Sequence, residues 1–180
     1  MINSASWTRF AILFVLLAGF SYWAFNMDGP WSRALDAAGG LLPETQTGFP
    51  PIEPGRSLEA LGDATSDYAL WQIVDLVYIA LNVLIIGVAI GLGLKKAGLA
   101  NSFMRFFLAL PLIYGVAELI ENSFFLGYVA GVIPSAGAAA LVQQLFTTIK
   151  MAAGFGGMAI ALISLILAAV SSVFRRQSQQ

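Results

Sequence analysis

The chain contains no cysteine and no histidine, and only 11% of its 180 residues are charged. Without cysteine there are no disulfides, thiolate metal centres or cysteine nucleophiles. Without histidine there is no histidine-ligated haem, no zinc or copper site of the usual kind, and no Ser-His catalytic pair. The shortage of charge says most about the fold. A soluble domain carries about 25% charged and ~45–50% apolar residues, whereas this chain is 58% hydrophobic. It lacks the polar groups to cover a globular surface, and its composition is that of a membrane protein.

The few charges are segregated. Six basic residues (Arg9, Lys95, Lys96, Arg105, Arg175 and Arg176) have no acid near them, whereas Asp28, Asp36, Glu44, Glu53, Glu59, Asp63 and Asp67 share one stretch with only Arg33 and Arg56. A bilayer core of ~30 Å is crossed by roughly 20 apolar helical residues. Four segments qualify, about residues 10–26, 68–94, 103–131 and 139–174. The expected fold is therefore an all-α membrane protein, one four-helix transmembrane domain over residues 1–180, packed as a left-handed antiparallel bundle. With these spans the six basic residues fall on one side and the acidic loop, residues 27–67, on the other. Positive charge stays cytoplasmic, which puts both termini inside and the loop outside. Arg9 ahead of Ala11–Phe20 also fits a signal peptide, but Gly19-x-Ser21 is the one small-residue pair near a cleavage position, so a retained helix is the favoured reading.

Within the loop, Gly29-Pro30 opens a short helix that Gly39-Gly40 ends, with Trp31 at headgroup level. Pro43 to Gly55 holds four prolines and is expected to be extended and irregular. Ser57 is a candidate cap for a further turn to Leu61, stopped by Gly62. About forty residues hold little core of their own, so the loop reads as a lid or strap over the helix ends, with partner docking as the alternative. Val132 to Gly137 predicts a tight outer hairpin between the third and fourth spans. On the fourth, Lys150, Gly157, Ser164 and Ser171 recur every seven residues, a small-residue seam for close left-handed packing. Gly87-x-x-x-Gly91 and Gly127-x-x-x-Gly131 are further candidates for close helix contact.

Ionisable residues inside a membrane are unfavourable by ~2.5–3.5 kcal/mol on insertion scales and mark the first place to look for function. At ~1.5 Å rise per residue, Asp75 lies about 30 Å from Lys95, Glu118 and Glu121 about 20 and 24 Å from Arg105, and Lys150 about 37 Å from Arg175, near the outer surface. Helical phase lets them converge. Gln72, Asp75, Tyr78 and Asn82 share one face of the second span; Tyr114, Glu118, Glu121 and Asn122 share one of the third; Gln143, Thr147 and Lys150 lie on the seam of the fourth. Three carboxyls and one ammonium do not all stay charged in so small a space, so one of Glu118 and Glu121, most simply Glu118, is expected to be neutral, with Lys150 paired to Asp75 or Glu121. A bound cation is the other way to neutralise them. Oxygen ligands favour Mg²⁺, Ca²⁺ or Mn²⁺ over zinc, but E-x-x-E lacks a third fixed ligand, and no metal site, cofactor or catalytic residue is assigned. The competing reading is a salt-bridged plug that fixes helix register. Asn82 and Asn122 then serve as interhelical glue, and Gln143, Gln144, Thr147 and Thr148 lie solvated above the membrane. Direct contact among Asp75, Glu118, Glu121 and Lys150 with no cavity would rule out the binding reading.

The string Pro111 to Asn122 has the form P-x6-E-x-x-E-N, with Asp75 in the preceding helix and Lys150 opening the following one. It resembles a family of bacterial four-helix inner-membrane proteins, over roughly residues 68–170. Glu118 departs from that family's pattern, where the first acid is often Asp. The resemblance implies a bacterial inner-membrane location and a shared polar cluster, and it transfers no activity.

Three functions are compatible with these residues. The first is a membrane protein whose outer-half cluster (Asp75, Tyr78, Asn82, Tyr114, Glu118, Glu121, Asn122, Lys150) binds or passes a proton, cation or amphiphile. The second is an accessory or assembly subunit, docked through its small-residue stripes and acidic loop. The third, a lipid-acting enzyme using two carboxyls as acid and base, lacks a nucleophile motif, a phosphate loop and metal ligands. The partners expected are the lipid bilayer, with a homo-oligomer or a membrane-protein partner. Nucleic acid is excluded, because the basic residues form only short juxtamembrane clusters.

Overall fold

Seven α-helices follow one another in this computed structural model, which describes residues 4–40, 42–45 and 54–177: α1 Trp7–Asn26, α2 Pro30–Ala37, α3 Gly55–Leu61, α4 Thr65–Ala97, α5 Ser102–Arg105, α6 Ala109–Val129 and α7 Gly137–Gln177. No strand occurs among the described residues. Local chemistry sets the ends. The Ser6 hydroxyl caps α1 by accepting from the Arg9 N–H at 3.2 Å. Pro30 sits in the first turn of α2, where its missing N–H has no partner to lose. Lys95 and Lys96 fill the last turn of α4, favourable against the helix dipole, and Gly98 closes it at φ 73°, a conformation other residues adopt reluctantly.

The third long segment is not continuous. Pro111 supplies no N–H to the carbonyl of residue 107, and the chain ahead of α6 tightens into a 3-10 turn, Phe106–Leu108, preceded by the single turn of α5. Pro43–Thr45 is also a 3-10 turn rather than extended chain; residues 46–53 of the proline-rich stretch lie outside the described residues. Helix α3 begins at Gly55, two residues before the expected cap, because Pro54 already holds a helical φ of −67°. Ser57 is therefore inside the helix and buried.

Helix α4 is the axis of the bundle, packed against α1, α2, α6 and α7, while α6 and α7 also pack on each other. Residues 85–94 of α4 are buried all round, held between α1, α7 and the chain from Ala100 to Leu108. On α7 the buried positions Gly154, Gly157, Ala161, Ser164 and Ala168 repeat at intervals of three and four. There α4 comes so close that a Cβ on Gly93 would overlap the Ser164 backbone at its carbonyl group. The Gly127/Gly131 pair does something else: Gly127 is filled against Ile133 of its own loop, and Gly131 takes a positive φ in the turn.

The strap is not a free loop. Ala34, Ala38, Leu42 and Leu61 join Tyr68, Phe125 and Tyr128 in one apolar cluster over the ends of α4 and α6, and Arg33 pairs with Asp67 at 2.7 Å. The outward faces of the long helices are apolar and uncovered, as at Val116, Phe155 and Leu162. Among the described residues, four helical segments, Trp7–Ala37, Ser57–Ala97, Phe106–Val129 and Gly137–Ser172, are long and apolar enough to cross a membrane.

Candidate functional site

The polar faces of α4, α6 and α7 meet beneath the strap. Glu118 and Glu121, one turn apart on α6, both face Lys150 of α7. The Lys150 ammonium lies 3.2 Å from Glu118 and in still closer contact with Glu121. Glu121 is 0% exposed. A charge so enclosed persists only when paired and hydrogen-bonded, and α7 supplies both. Besides Lys150, the Thr147 hydroxyl donates to Glu121 Oε1, and Gln143 Nε2 donates to the same oxygen at 3.3 Å and to Thr147 Oγ1 at 2.7 Å.

One alternative and one expectation fail here. Gln143 and Thr147 are not solvated above the membrane; they are 4% and 1% exposed, because their i, i+4 spacing turns both onto α6. Lys150 neither opens its helix nor sits at its mouth: it lies thirteen residues inside α7, with a side chain 12% exposed.

Asp75 does not join the Lys150 pairs. Its Oδ2 accepts from Asn122 Nδ2 at 2.8 Å, and the same amide reaches the Gln72 carbonyl oxygen at 3.4 Å, so Asn122 ties α6 to α4. Of the remaining expected residues, Tyr78 is on the cavity wall described below, and Tyr114 lies beside Glu118 and Lys150. Asn82 stands apart, donating to the Tyr78 carbonyl of its own helix at 2.9 Å.

Glu44, from the strap, is the participant that helical phase does not reveal. Leu42, fully buried, anchors the chain, and the 3-10 turn that follows aims Glu44 inward. Tyr68 donates its hydroxyl to Glu44 Oε2 at 2.8 Å, and Gln72 Nε2 donates to Oε1 at 3.2 Å. Burial pushes the Glu44 carboxyl up to about 7, against the opposing pull of its hydrogen bonds and of the Lys150 charge. The only hint in the sequence is an acid directly after Pro43.

These groups border a cavity of about 250 Å³. Its polar lining is Glu44, Gln72, Asp75, Glu118, Asn122 and Lys150. Its aromatic lining is Phe25 from α1, Trp31 from α2, and Trp71 and Tyr78 from α4. Trp31 and Trp71 lie 5.2 Å apart, and Phe25 packs 5.5–5.7 Å from Trp31, Trp71 and Tyr78. Gln72 is 1% exposed, and its Oε1 has no hydrogen-bond partner. A second cavity of about 180 Å³ opens between α6 and α7, lined by Tyr114, Met151, Phe155 and Met158. Glu118 and Lys150 border both cavities, so their ion pair stands between them. Direct contact and a cavity therefore coexist. Among the described residues no three carboxylates are disposed to hold a metal ion.

Four long apolar helices around a polar interior define the class: a multi-pass helical membrane protein. Comparison with protein-family models, curated proteins and solved structures found no match to this chain.

Proposed function

We propose that this protein is a bacterial inner-membrane protein that binds a small cation in the cavity beneath its strap. Both termini face the cytoplasm, residues 27–67 lie outside, and the helices form a left-handed antiparallel bundle. One observation carries the reading. Lys150 is already held by Glu121 and Glu118, and Glu44 and Asp75 line the same cavity with only hydroxyl and amide partners. Carboxyls exceed ammonium groups, and the cavity leaves room for the missing positive charge. A proton fills that role when no cation is bound.

Asp75→Asn and Glu118→Gln variants test this against the plug. The reading expects proteins that fold and lose their cation- and pH-dependent stability; loss of folding in both favours the plug. The orientation is checked with single cysteines in the cysteine-free chain. A membrane-impermeant maleimide added outside should label Asp36→Cys and leave Leu99→Cys untouched.

A second reading has its own support. The Glu121, Lys150, Thr147 and Gln143 network is enclosed and paired within itself, as expected of a register-fixing plug in an accessory subunit of a larger complex. Native purification with an unrelated stoichiometric partner favours it, and a lone monomer or homo-oligomer counts against it.

A further inference from the structure

We infer that the cation is a small primary organic ammonium ion, held by the aromatic rings and the carboxyl groups that line the cavity. The inference rests on the cation reading above and names the ligand class.

Three features separate this class from inorganic cations. First, Phe25, Trp31, Trp71 and Tyr78 line the same cavity as Asp75 and Glu44. A small metal ion gains most from oxygen ligands at short, fixed distances, and none of these rings except Tyr78 offers oxygen. Ring faces attract organic cations, indole most strongly, and the attraction grows in a site shielded from water. Secondly, among the described residues no three carboxylates converge as metal ligands. Thirdly, Gln72 is buried on the cavity wall with its Oε1 unpartnered. Buried amide oxygens are normally satisfied, and an N–H donor entering the cavity supplies the missing partner. A primary ammonium carries three such donors, against acceptors on Gln72, Asp75 and Glu44. A quaternary ion satisfies the rings but none of these oxygens.

Size points the same way. A volume of about 250 Å³ is below the ~300–1,000 Å³ of pockets that take drug-sized ligands. It suits an ammonium head with a short carbon chain.

The test uses the full chain in lipid nanodiscs, with tryptophan fluorescence as the readout, because Trp31 and Trp71 form part of the wall. Butylammonium, tetramethylammonium, Na⁺, K⁺, Mg²⁺ and Ca²⁺ chlorides are titrated at matched ionic strength. The expected result is saturable change with butylammonium at concentrations at least tenfold lower than for any other cation in the panel. Asp75→Asn and Trp71→Leu should each weaken that response about tenfold or more, with Trp71→Phe in between. Saturation by an inorganic ion as tight as butylammonium overturns this inference and leaves the cation reading standing. No saturation by any cation overturns both. Wild-type selectivity decides the matter even where a variant fails to fold.

Discussion

Asn122 of α6 donates to the Asp75 carboxylate of α4 at 2.8 Å, in place of the Asp75–Lys150 ion pair open from sequence alone. The contact joins two helices through one amide, and the amide's second bond to the Gln72 carbonyl oxygen fixes its direction. Asn122→Ala leaves a buried carboxyl short of a donor and should destabilise the protein by about 1–2 kcal/mol, within the range of interhelical polar contacts in membranes. A double-mutant cycle with Asp75→Asn, read by reversible unfolding in mixed micelles, isolates the pair. Additive effects of the two changes contradict a direct interaction.

Among the described residues Lys150 is the one cation beside Glu44, Asp75, Glu118 and Glu121, and two of these hold it. Lys150→Met removes the charge but keeps the volume, leaving Glu121 enclosed without its counter-ion. The expected loss is ~3–5 kcal/mol. Combining it with Glu121→Gln removes the stranded charge and should recover a large part of that loss. Unfolding of both variants under one set of conditions measures the recovery.

Much of this arrangement is legible in the sequence, and the limits have physical causes. The four long apolar helices follow from apolar length alone. The shared faces at Asp75, at Glu118 with Asn122, and at Thr147 with Lys150 follow from 3.6-residue periodicity. Phase states which residues share a face, but not which partner a face meets, so it leaves Asp75 between Lys150 and Asn122. Counting from Arg175 gives the height of Lys150 along its helix but not what packs there, so it does not reveal that Gln143, Thr147 and Lys150 are held against α6. Glu44 has no periodicity to reveal it: a buried leucine and a short turn on the strap bring it to the site.

Glu44 makes the strap pH-sensitive. Its carboxyl is raised from 4.5 to about 7 when the strap is docked, mainly by burial. The docked state then holds more protons than the undocked state between these values. Docking is strongest below about pH 4.5, weakens as pH rises, and levels off above about 7, with a total change of at most about 3 kcal/mol. Amide hydrogen exchange in α2, compared at pH 5 and pH 8 after correction for intrinsic rates, should show protection falling at the higher pH. Glu44→Gln should abolish the difference. A bound cation neutralises the same carboxylate and should restore protection at pH 8.

Close packing of α4 on α7 depends on Gly93. A Cβ there meets the Ser164 backbone, which has no rotamer to escape into, so Gly93→Ala should destabilise by about 1–3 kcal/mol. Gly157 is a contrast on the same seam. Its Cβ would reach Ile86 Cγ2 at 3.4 Å, an ordinary contact with a side chain. Gly157→Ala should be neutral or, through helix propensity, stabilising by up to ~1 kcal/mol. Thermal unfolding of the two variants side by side distinguishes them.

A cation site under the strap binds cations, and an inert gap beside a plug does not. Isothermal titration calorimetry on purified protein in lipid nanodiscs separates the two, with organic and inorganic cations titrated into wild type and into the Asp75→Asn/Glu118→Gln double variant. A cation site gives saturable one-to-one binding to wild type, weakened at least tenfold in a folded double variant. Absence of binding to wild type by any cation, or equal binding by both proteins, contradicts it.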